Sequence, residues 1–187
     1  MLKAVRSLEA AYLIGVEGVT EIWLVRHADA YEHLEDQVDP PLSARGLEQA
    51  ARLAERVKRF GPVTVYSSPH RRAVQTARAI TDDVREDPLL VEMGLEINDD
   101  GAFVFTESPE SVAERMGSFV ADVVARHPGE RLVVISHAGA ILNYLTSVLH
   151  LESGSLRILP YYTSVTVLRV LGDRYMAGAI GDTAHLE

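Results

Sequence analysis

The chain has 187 residues, of which 47% are hydrophobic, and its formal net charge at pH 7 is −9. This length is typical of one domain with a sizeable core. The negative charge disfavours nucleic acid as a partner, because no excess of Lys and Arg is present to release counterions from a phosphate backbone. The chain contains no cysteine, which excludes disulfides, thiolate nucleophiles and Cys-based zinc sites.

Hydropathy predicts no membrane segment, since no apolar run approaches the roughly 20 residues that span a bilayer. The longest N-terminal apolar run, Ala10 to Val16, is flanked by glutamates. We therefore expect a cytoplasmic protein with one domain over residues 1–187, of which 1–20 form an N-terminal extension. The segment Leu8 to Val16 either covers the sheet or contacts a partner subunit, and the sequence does not choose between them or indicate the oligomeric state.

Strand-length apolar runs alternate with stretches of helical period, which predicts an α/β fold. Residues 82–110 are acidic and weakly patterned, so we expect an irregular excursion over the active site there. Two helices are predicted to begin at serine caps, one at Ser43 and one at Ser67-Ser68-Pro69. The predicted elements are strands at Glu21–Arg26, Val63–Tyr66, Arg131–Ser136, Ser164–Val170 and Tyr175–Ala179, and helices at Ser43–Phe60, after Pro69, at Ser111–His127 and at Gly139–Leu149.

Polar residues follow three of the predicted strands at the points where they end. These residues are Arg26-His27, Ser67 to Arg72, and Ser136-His137. In open α/β sheets ligands bind at the carboxyl ends of the strands, so two imidazoles and two or three guanidiniums are expected around one pocket. Guanidiniums match phosphate oxygens and stabilise the charge of a transferring phosphoryl group. A neutral imidazole, with a reference pKa of about 6.5, can attack phosphorus and form a phosphohistidine.

Four segments together resemble the histidine phosphatase (phosphoglycerate mutase-like) superfamily. Arg26-His27-Ala28 is similar to the family's Arg-His-Gly sequence, and the other segments match in the right order. The resemblance implies a three-layer sandwich with a mostly parallel central sheet flanked by helices. The matching segments are Leu24–Ala28, Pro41–Ala50, Ser67–Ala77 and Val133–Gly139, within a region of resemblance from about Glu21 to Leu145 and with a similar tail at Gly181–Leu186.

Carried over by position, the resemblance implies catalytic roles for four residues. His27 would be the nucleophile, Arg26 and Arg72 would clamp the phosphoryl group, and His137 would donate to the phosphoryl oxygens in the transition state. The first turn after His137, which begins at Ala138, is expected to offer backbone N–H groups to the substrate.

The general acid is implied to be a carboxylate of the middle segment. The sequence Leu90-Val91-Glu92 fits the family placement, so Glu92 would protonate the leaving oxygen if burial raises its pKa. Glu96, Asp99 and Asp100 lie nearby in the sequence and remain alternatives.

Two positions depart from the family pattern of phosphate contacts. His33 occupies the slot of a phosphate-contacting Asn, and Ala30 occupies the slot of a Ser or Thr hydroxyl. We keep His33 as an expected substrate-binding residue. Ala28 in place of Gly is compatible with a negative φ.

The predicted function is a metal-independent phosphatase for a small phosphorylated substrate or a phosphoprotein, with no cofactor. The chain is shorter than typical mutases, and an open site gives water access to a phosphohistidine, which favours hydrolysis. A phosphoglycerate mutase-type phosphotransferase and a catalytically silent phospho-ligand binding protein are the alternatives. No histidine pair has a metal-ligand helix spacing, and neither serine before Pro69 has the Gly-x-Ser-x-Gly setting of a nucleophile. We expect His70 at the rim of the site and Arg71 on a solvated helix face.

Overall fold

A computed structural model describes residues 2–31, 39–61, 63–152 and 159–187 of the chain. Six strands form the main sheet, and a further pair forms a separate hairpin. The main-sheet strands are β1 (Thr20–Arg26), β2 (Thr64–Ser67), β3 (Val84–Glu86), β6 (Arg131–Ser136), β7 (Val165–Leu171) and β8 (Arg174–Asp182), and the hairpin strands are β4 (Leu95–Ile97) and β5 (Phe103–Phe105). The helices are α1 (Leu2–Ala11), α2 (Ala44–Lys58), α3 (Arg71–Arg78), α4 (Pro109–Arg126) and α5 (Ala138–Val148).

The main sheet is mixed, with its parallel part at the centre. Its strand order is β3-β2-β6-β1-β7-β8. The pairs β3–β2, β2–β6 and β6–β1 are parallel, whereas β7 pairs with β1 and β8 in antiparallel fashion. This order confirms the mostly parallel central sheet and places the carboxyl ends of β2, β6 and β1 side by side.

Alternating side chains of β1 point into two separate hydrophobic cores. Ile22 and Leu24 pack with buried residues of α4 and α5. Trp23 and Val25 pack with buried residues of α2 and α3 on the other face. Because a strand buried on both faces needs a continuous apolar run, this packing explains the sequence of β1 and confirms the three-layer sandwich.

The two serine caps predicted from the sequence have different outcomes. Ser43 caps α2 as expected, since its side chain accepts a hydrogen bond from the backbone N–H of Gly46. The cap predicted for α3 is wrong, because that helix begins one residue after His70, which makes no side-chain cap hydrogen bond. Ser67 completes β2 instead, and the Ser68 hydroxyl lies against His137.

The segment expected to be irregular, residues 82–110, contains short regular elements. Strand β3 extends the sheet at its edge by pairing with β2, and a 3-10 turn at Pro88–Leu90 buries Leu90 in the core. Three-residue strands are too short to show a period in the sequence, which explains why the pattern did not predict them.

The N-terminal helix α1 is exposed along the residues whose burial is described, and Leu13 behind it is buried. Arg174 Nη2 donates a 2.9 Å hydrogen bond to the Ala11 carbonyl oxygen, which joins the end of α1 to the turn between β7 and β8. No described helix is long and apolar enough to cross a membrane.

Gly46 lies where α2 crosses the loop after β1, and a side chain at this position is predicted to be destabilising. A Cβ there would overlap the backbone carbonyl oxygen of Asp29. We expect Gly46→Ala to lower the free energy of unfolding by about 2–3 kcal/mol, because backbone atoms must move. Urea denaturation would measure this loss.

Gly117→Ala is the matched control, since a Cβ at this position of α4 would make only a 3.9 Å contact with Tyr144. Alanine favours a helix over glycine by about 1 kcal/mol, so this change should be neutral or stabilising. Equal unfolding free energies for the two variants would contradict the predicted overlap at Gly46.

Candidate active site

Three of the residues predicted for catalysis meet at the carboxyl ends of β1, β6 and β2. The rings of His27 and His137 have centroids 5.0 Å apart. Arg72 lies between them and donates from Nε to His27 Nε2 at 3.2 Å and from Nη2 to His137 Nδ1 at 3.2 Å. The guanidinium and the two imidazoles therefore form one cluster.

His27 is oriented as a neutral imidazole whose Nε2 keeps its lone pair and accepts a hydrogen bond from Arg72. It is only 1% exposed, and its Nδ1 lies 2.7 Å from the Ala28 carbonyl oxygen. Because a carbonyl only accepts, Nδ1 carries the proton and Nε2 keeps the lone pair. Burial, with smaller contributions from the positive charges of Arg72 and Arg26, lowers the pKa of His27 to about 3. The ring is thus unprotonated at neutral and mildly acidic pH, as a nucleophile requires.

His137 is fully buried and has both ring nitrogens engaged. Its Nε2 lies 2.8 Å from Ser68 Oγ. Since Nδ1 accepts from Arg72, Nε2 carries the proton and donates to Ser68. Burial, then the neighbouring His27 and Arg72, holds the pKa of His137 well below its ordinary value. Donation from Nδ1 to a phosphoryl group would require a second proton, which a bound dianion would favour.

Arg26 has a buried donor that finds no partner within the described part of the chain. The residue is 9% exposed, its Nη1 donates a 3.0 Å hydrogen bond to the Pro160 carbonyl oxygen, and its guanidinium carbon lies 4.0 Å from the centroid of the Tyr162 ring. Its Nε finds no hydrogen-bond partner among the residues that the structure describes. Leaving a buried charged N–H unpaired is costly, and a bound anion beside His27 would satisfy it.

Asp39 orients Arg72 and was not found from the sequence. Its Oδ1 accepts from Arg72 Nη1 at 3.1 Å, and its Oδ2 accepts from the backbone N–H of Arg71 at 2.7 Å. With Nη1 held by Asp39, Nε and Nη2 of the same guanidinium point to the two histidines. Asp39 precedes Pro40 in a loop without regular period, so no local pattern indicates this contact.

Asp39→Asn is expected to lower kcat/KM for phosphoester hydrolysis about tenfold, because the amide weakens the charge-assisted bond that orients Arg72. Steady-state kinetics would measure this loss. Asp122→Asn is the control, since that carboxylate pairs with Arg126 on an exposed face of α4 and the change should have no effect on kcat/KM. If the two variants were equally active, Asp39 would have no orienting role.

His70 lies inside the cluster rather than only at its rim. Its Nδ1 is 3.2 Å from Arg72 Nη2, and its ring centroid is 4.9 Å from that of His137. Burial and the positive charge of Arg72 lower the pKa of His70, while the carboxylates of Asp39 and Glu92 oppose that shift. The sequence predicted a rim position because it gave no information on the direction of this side chain.

Glu92 lies at the start of α5, next to His137. Its Oε1 accepts from the backbone N–H groups of Met93 and Ala140 at 2.9 Å each, and its Oε2 accepts from Gly139 N at 3.3 Å. The other candidate carboxylates, Glu96, Asp99 and Asp100, are exposed on the β4–β5 hairpin. Glu92 is therefore the candidate that the fold brings to the histidine cluster.

The remaining predicted positions have different outcomes. Ala138 is the first residue of α5, so its N–H belongs to the turn that has no partner within the helix. Ala30 is 1% exposed and packs with Ala28 and Leu42 instead of offering a hydroxyl. His33 lies outside the described residues.

Polar side chains of the matching segments hold the loops in place. Thr76 Oγ1 accepts from Ala28 N at 3.0 Å and donates to the Arg72 carbonyl oxygen at 2.7 Å. Gln49 Oε1 accepts from Asp29 N at 2.9 Å. These bonds hold the backbone that follows His27 against helices α2 and α3, which supports the position of the nucleophile.

A sequence model of the histidine phosphatase superfamily (branch 1) matches residues 22–101 and 95–183. The chain belongs to the histidine phosphatase superfamily. The family's matched region contains the whole histidine cluster together with Glu92. Among the described residues, no group of three or more His, Asp or Glu side chains could hold a metal ion.

Relatives of similar length span most of the chain. A metal-independent phosphoserine phosphatase of Arabidopsis thaliana is 28% identical over 90% of this chain and 84% of its own length. A probable phosphoglycerate mutase of Enterobacter sp. (strain 638) is 25% identical over 89% of this chain and 95% of its own. The crystal structure of a phosphoserine phosphatase from Entamoeba histolytica in complex with 3-phosphoglyceric acid has a TM-score of 0.75 at 22% identity, covers 90% of this chain and all of that chain, and supports the same fold.

Proposed function

We propose that this histidine phosphatase hydrolyses small phosphomonoesters without a metal ion, through a phosphohistidine on Nε2 of His27. The observation that carries the proposal is the state of His27, which is buried and neutral with its Nε2 lone pair facing the guanidinium of Arg72. The names of relatives, among them a metal-independent phosphoserine phosphatase, support the same reaction. The exclusion of nucleic acid and the cytoplasmic location stay predictions from the sequence.

In the first step, Nε2 of His27 attacks phosphorus while the bond to the ester oxygen breaks. The Nε–H of Arg26 and the guanidinium edge of Arg72 stabilise the charge on the phosphoryl oxygens. Glu92 would supply a proton to the leaving alcohol from its position beside the start of α5. In the second step, water attacks the phosphohistidine and would give its proton to the Glu92 carboxylate, the P–N bond breaks, and inorganic phosphate leaves with His27 and Glu92 restored to their starting states.

Phosphate release from p-nitrophenyl phosphate in excess EDTA tests this proposal. We expect full activity in EDTA and an acid-labile phosphoenzyme after rapid quenching with a radiolabelled ester. Loss of activity in EDTA would overturn the metal-independent route. Binding of the ester without any turnover would instead indicate a catalytically silent phospho-ligand binding protein.

Phosphoglycerate mutase activity is the second candidate, because a probable phosphoglycerate mutase is among the relatives. The same His27 would serve, with the phosphoryl group returned to a second hydroxyl instead of water. Product analysis with a phosphoglycerate distinguishes the two reactions. Inorganic phosphate as the sole phosphorus product would support the phosphatase, and isomerised phosphoglycerate would support the mutase.

Glu92→Gln should reduce activity in a way that depends on the leaving group. Without a proton donor, alkyl phosphates, whose alkoxides are poor leaving groups, are expected to lose about 10²-fold or more in kcat. p-Nitrophenyl phosphate should lose much less, because its phenolate leaves without a proton. Steady-state kinetics with both esters would measure the difference.

Glu96→Gln is the control for this change, since Glu96 is exposed on β4. Equal losses for alkyl and aryl esters in Glu92→Gln would indicate that Glu92 only supports the start of α5 through its contacts with Gly139 and Ala140.

A further inference from the structure

Three tyrosines extend from the nucleophile towards the protein surface. The Tyr162 ring centroid is 6.1 Å from that of His27, and the same ring packs against the guanidinium of Arg26. Tyr31 and Tyr161 lie 5.9 and 5.6 Å from Tyr162, measured between centroids. We call Tyr31, Tyr161 and Tyr162 the tyrosine rim.

The outer rings of the rim, those of Tyr31 and Tyr161, lie outside the hydrophobic core. Tyr31 and Tyr161 are each 44% exposed, whereas the core tyrosines Tyr66 and Tyr144 are each 3% exposed. Exposed aromatic side chains that adjoin one another and a reactive centre are typical of ligand-binding surfaces.

Both outer tyrosines are held by polar contacts that leave part of their rings open to solvent. The backbone N–H of Tyr31 donates to Asp29 Oδ1 at 3.1 Å. The Tyr161 hydroxyl accepts from Arg45 Nη2 at 2.8 Å. The first bond holds the backbone of Tyr31 and the second holds the ring of Tyr161 at its hydroxyl. Holding these groups beforehand lowers the entropy lost when a ligand stacks on the rings.

The position of Arg26 connects the rim to the phosphoryl site. The Nε of this guanidinium has no hydrogen-bond partner among the described residues, and the face of the guanidinium packs on Tyr162. A phosphoryl group bound by this Nε–H and by His27 would lie at the edge of the guanidinium, whose face packs on Tyr162. In a phosphomonoester whose ester oxygen is joined to a ring through one methylene group, that ring would come within reach of the tyrosine rim.

We propose that the tyrosine rim binds a planar ring on the leaving group, so that the preferred substrates are phosphomonoesters of alcohols that carry an aromatic ring. This proposal rests on the proposed function, since the ester must bind at His27. Edge-to-face and offset-stacked contacts between rings stabilise such a complex beyond the effect of buried area.

Three alkyl phosphates test the proposal: benzyl phosphate, cyclohexylmethyl phosphate and ethyl phosphate. The first two have the same number of carbon atoms and leave as primary alcohols, so they differ chiefly in the planarity of the ring. We expect KM for benzyl phosphate to be roughly three- to tenfold lower than for cyclohexylmethyl phosphate, the effect of one or two ring contacts. In Tyr31→Ala and Tyr161→Ala the ratio of KM for cyclohexylmethyl phosphate to KM for benzyl phosphate should fall towards one. The kcat values should stay unchanged.

Two further variants separate stacking from other roles of the tyrosines. Tyr161→Phe keeps the ring but loses the hydrogen bond to Arg45, so the preference for benzyl phosphate should persist. Tyr12→Ala removes a tyrosine that is 52% exposed and follows Ala11, whose carbonyl contacts Arg174. This region lies at the opposite end of β1 from His27, so the variant should keep the wild-type KM ratio.

The outcomes distinguish this proposal from the proposed function. Hydrolysis of ethyl phosphate with equal KM values for the two cyclic esters would overturn the rim proposal and leave the phosphatase intact. A benzyl preference that survives both alanine variants would also overturn it. If none of the three esters were hydrolysed, both proposals would be overturned.

Discussion

Replacing His27 with Asn is expected to abolish phosphate release, with a fall in kcat of roughly 10⁴-fold or more, the scale seen when a covalent nucleophile is removed. The amide has no lone pair on nitrogen that could attack phosphorus, so the phosphohistidine cannot form. Rapid-quench trapping should show no phosphoenzyme, and steady-state assays should show only background hydrolysis.

His150→Asn is the matched control, because His150 is exposed behind α5 and has a positive φ, which asparagine tolerates. It should retain wild-type activity. If His27→Asn turned over p-nitrophenyl phosphate as fast as this control, the nucleophile would have to be another residue.

The same variant should also change how stability depends on pH. The pKa of His27 in the folded protein is lowered to about 3, whereas in the unfolded chain it is about 6.5. Between these two values the unfolded chain binds the extra proton, so His27 destabilises the fold increasingly as the pH falls. In His27→Asn this contribution is absent, and the free energy of unfolding should fall less between pH 7 and pH 5 than in the wild type.

Arg72→Ala is expected to have the second largest effect, a loss of roughly 10²- to 10³-fold in kcat. The change removes the donors that face His27 and His137. It also removes the positive charge that stabilises the negative phosphoryl oxygens. Arg72→Lys should recover only part of the activity, because an ammonium cannot contact both histidines with the planar geometry of the guanidinium. Steady-state kinetics with a small alkyl phosphate would rank the three proteins.

Arg71→Ala provides a control on the same helix, since Arg71 is exposed and only its backbone N–H contacts Asp39. Its kcat should stay within about twofold of the wild type, as expected for a surface substitution. Comparable losses in Arg71→Ala and Arg72→Ala would indicate a general effect of positive charge rather than a specific contact.

Much of the fold and of the catalytic cluster followed from the sequence. Strand β6 was predicted with the bounds that the structure shows, and β1 and α2 were predicted to within two residues at each end. These elements carry strong patterns, because a strand buried on both faces needs an unbroken apolar run and an amphipathic helix needs the 3.6-residue period. Residues 82–110 carry no such pattern. Strand β3 depends on pairing with β2, and the three-residue strands β4 and β5 pair only with each other.

The sequence by itself determined which residue types follow the central strands, and therefore that His27, Arg72 and His137 meet at one edge of the sheet. This inference needs only the direction of parallel strands, which a local pattern can predict. The tertiary structure alone decided that Asp39 orients Arg72, that Ser68 contacts His137 instead of capping α3, and that Tyr31, Tyr161 and Tyr162 adjoin one another. Such contacts join side chains from loops that are distant in the sequence, and their directions depend on the packing of the whole domain rather than on any local period.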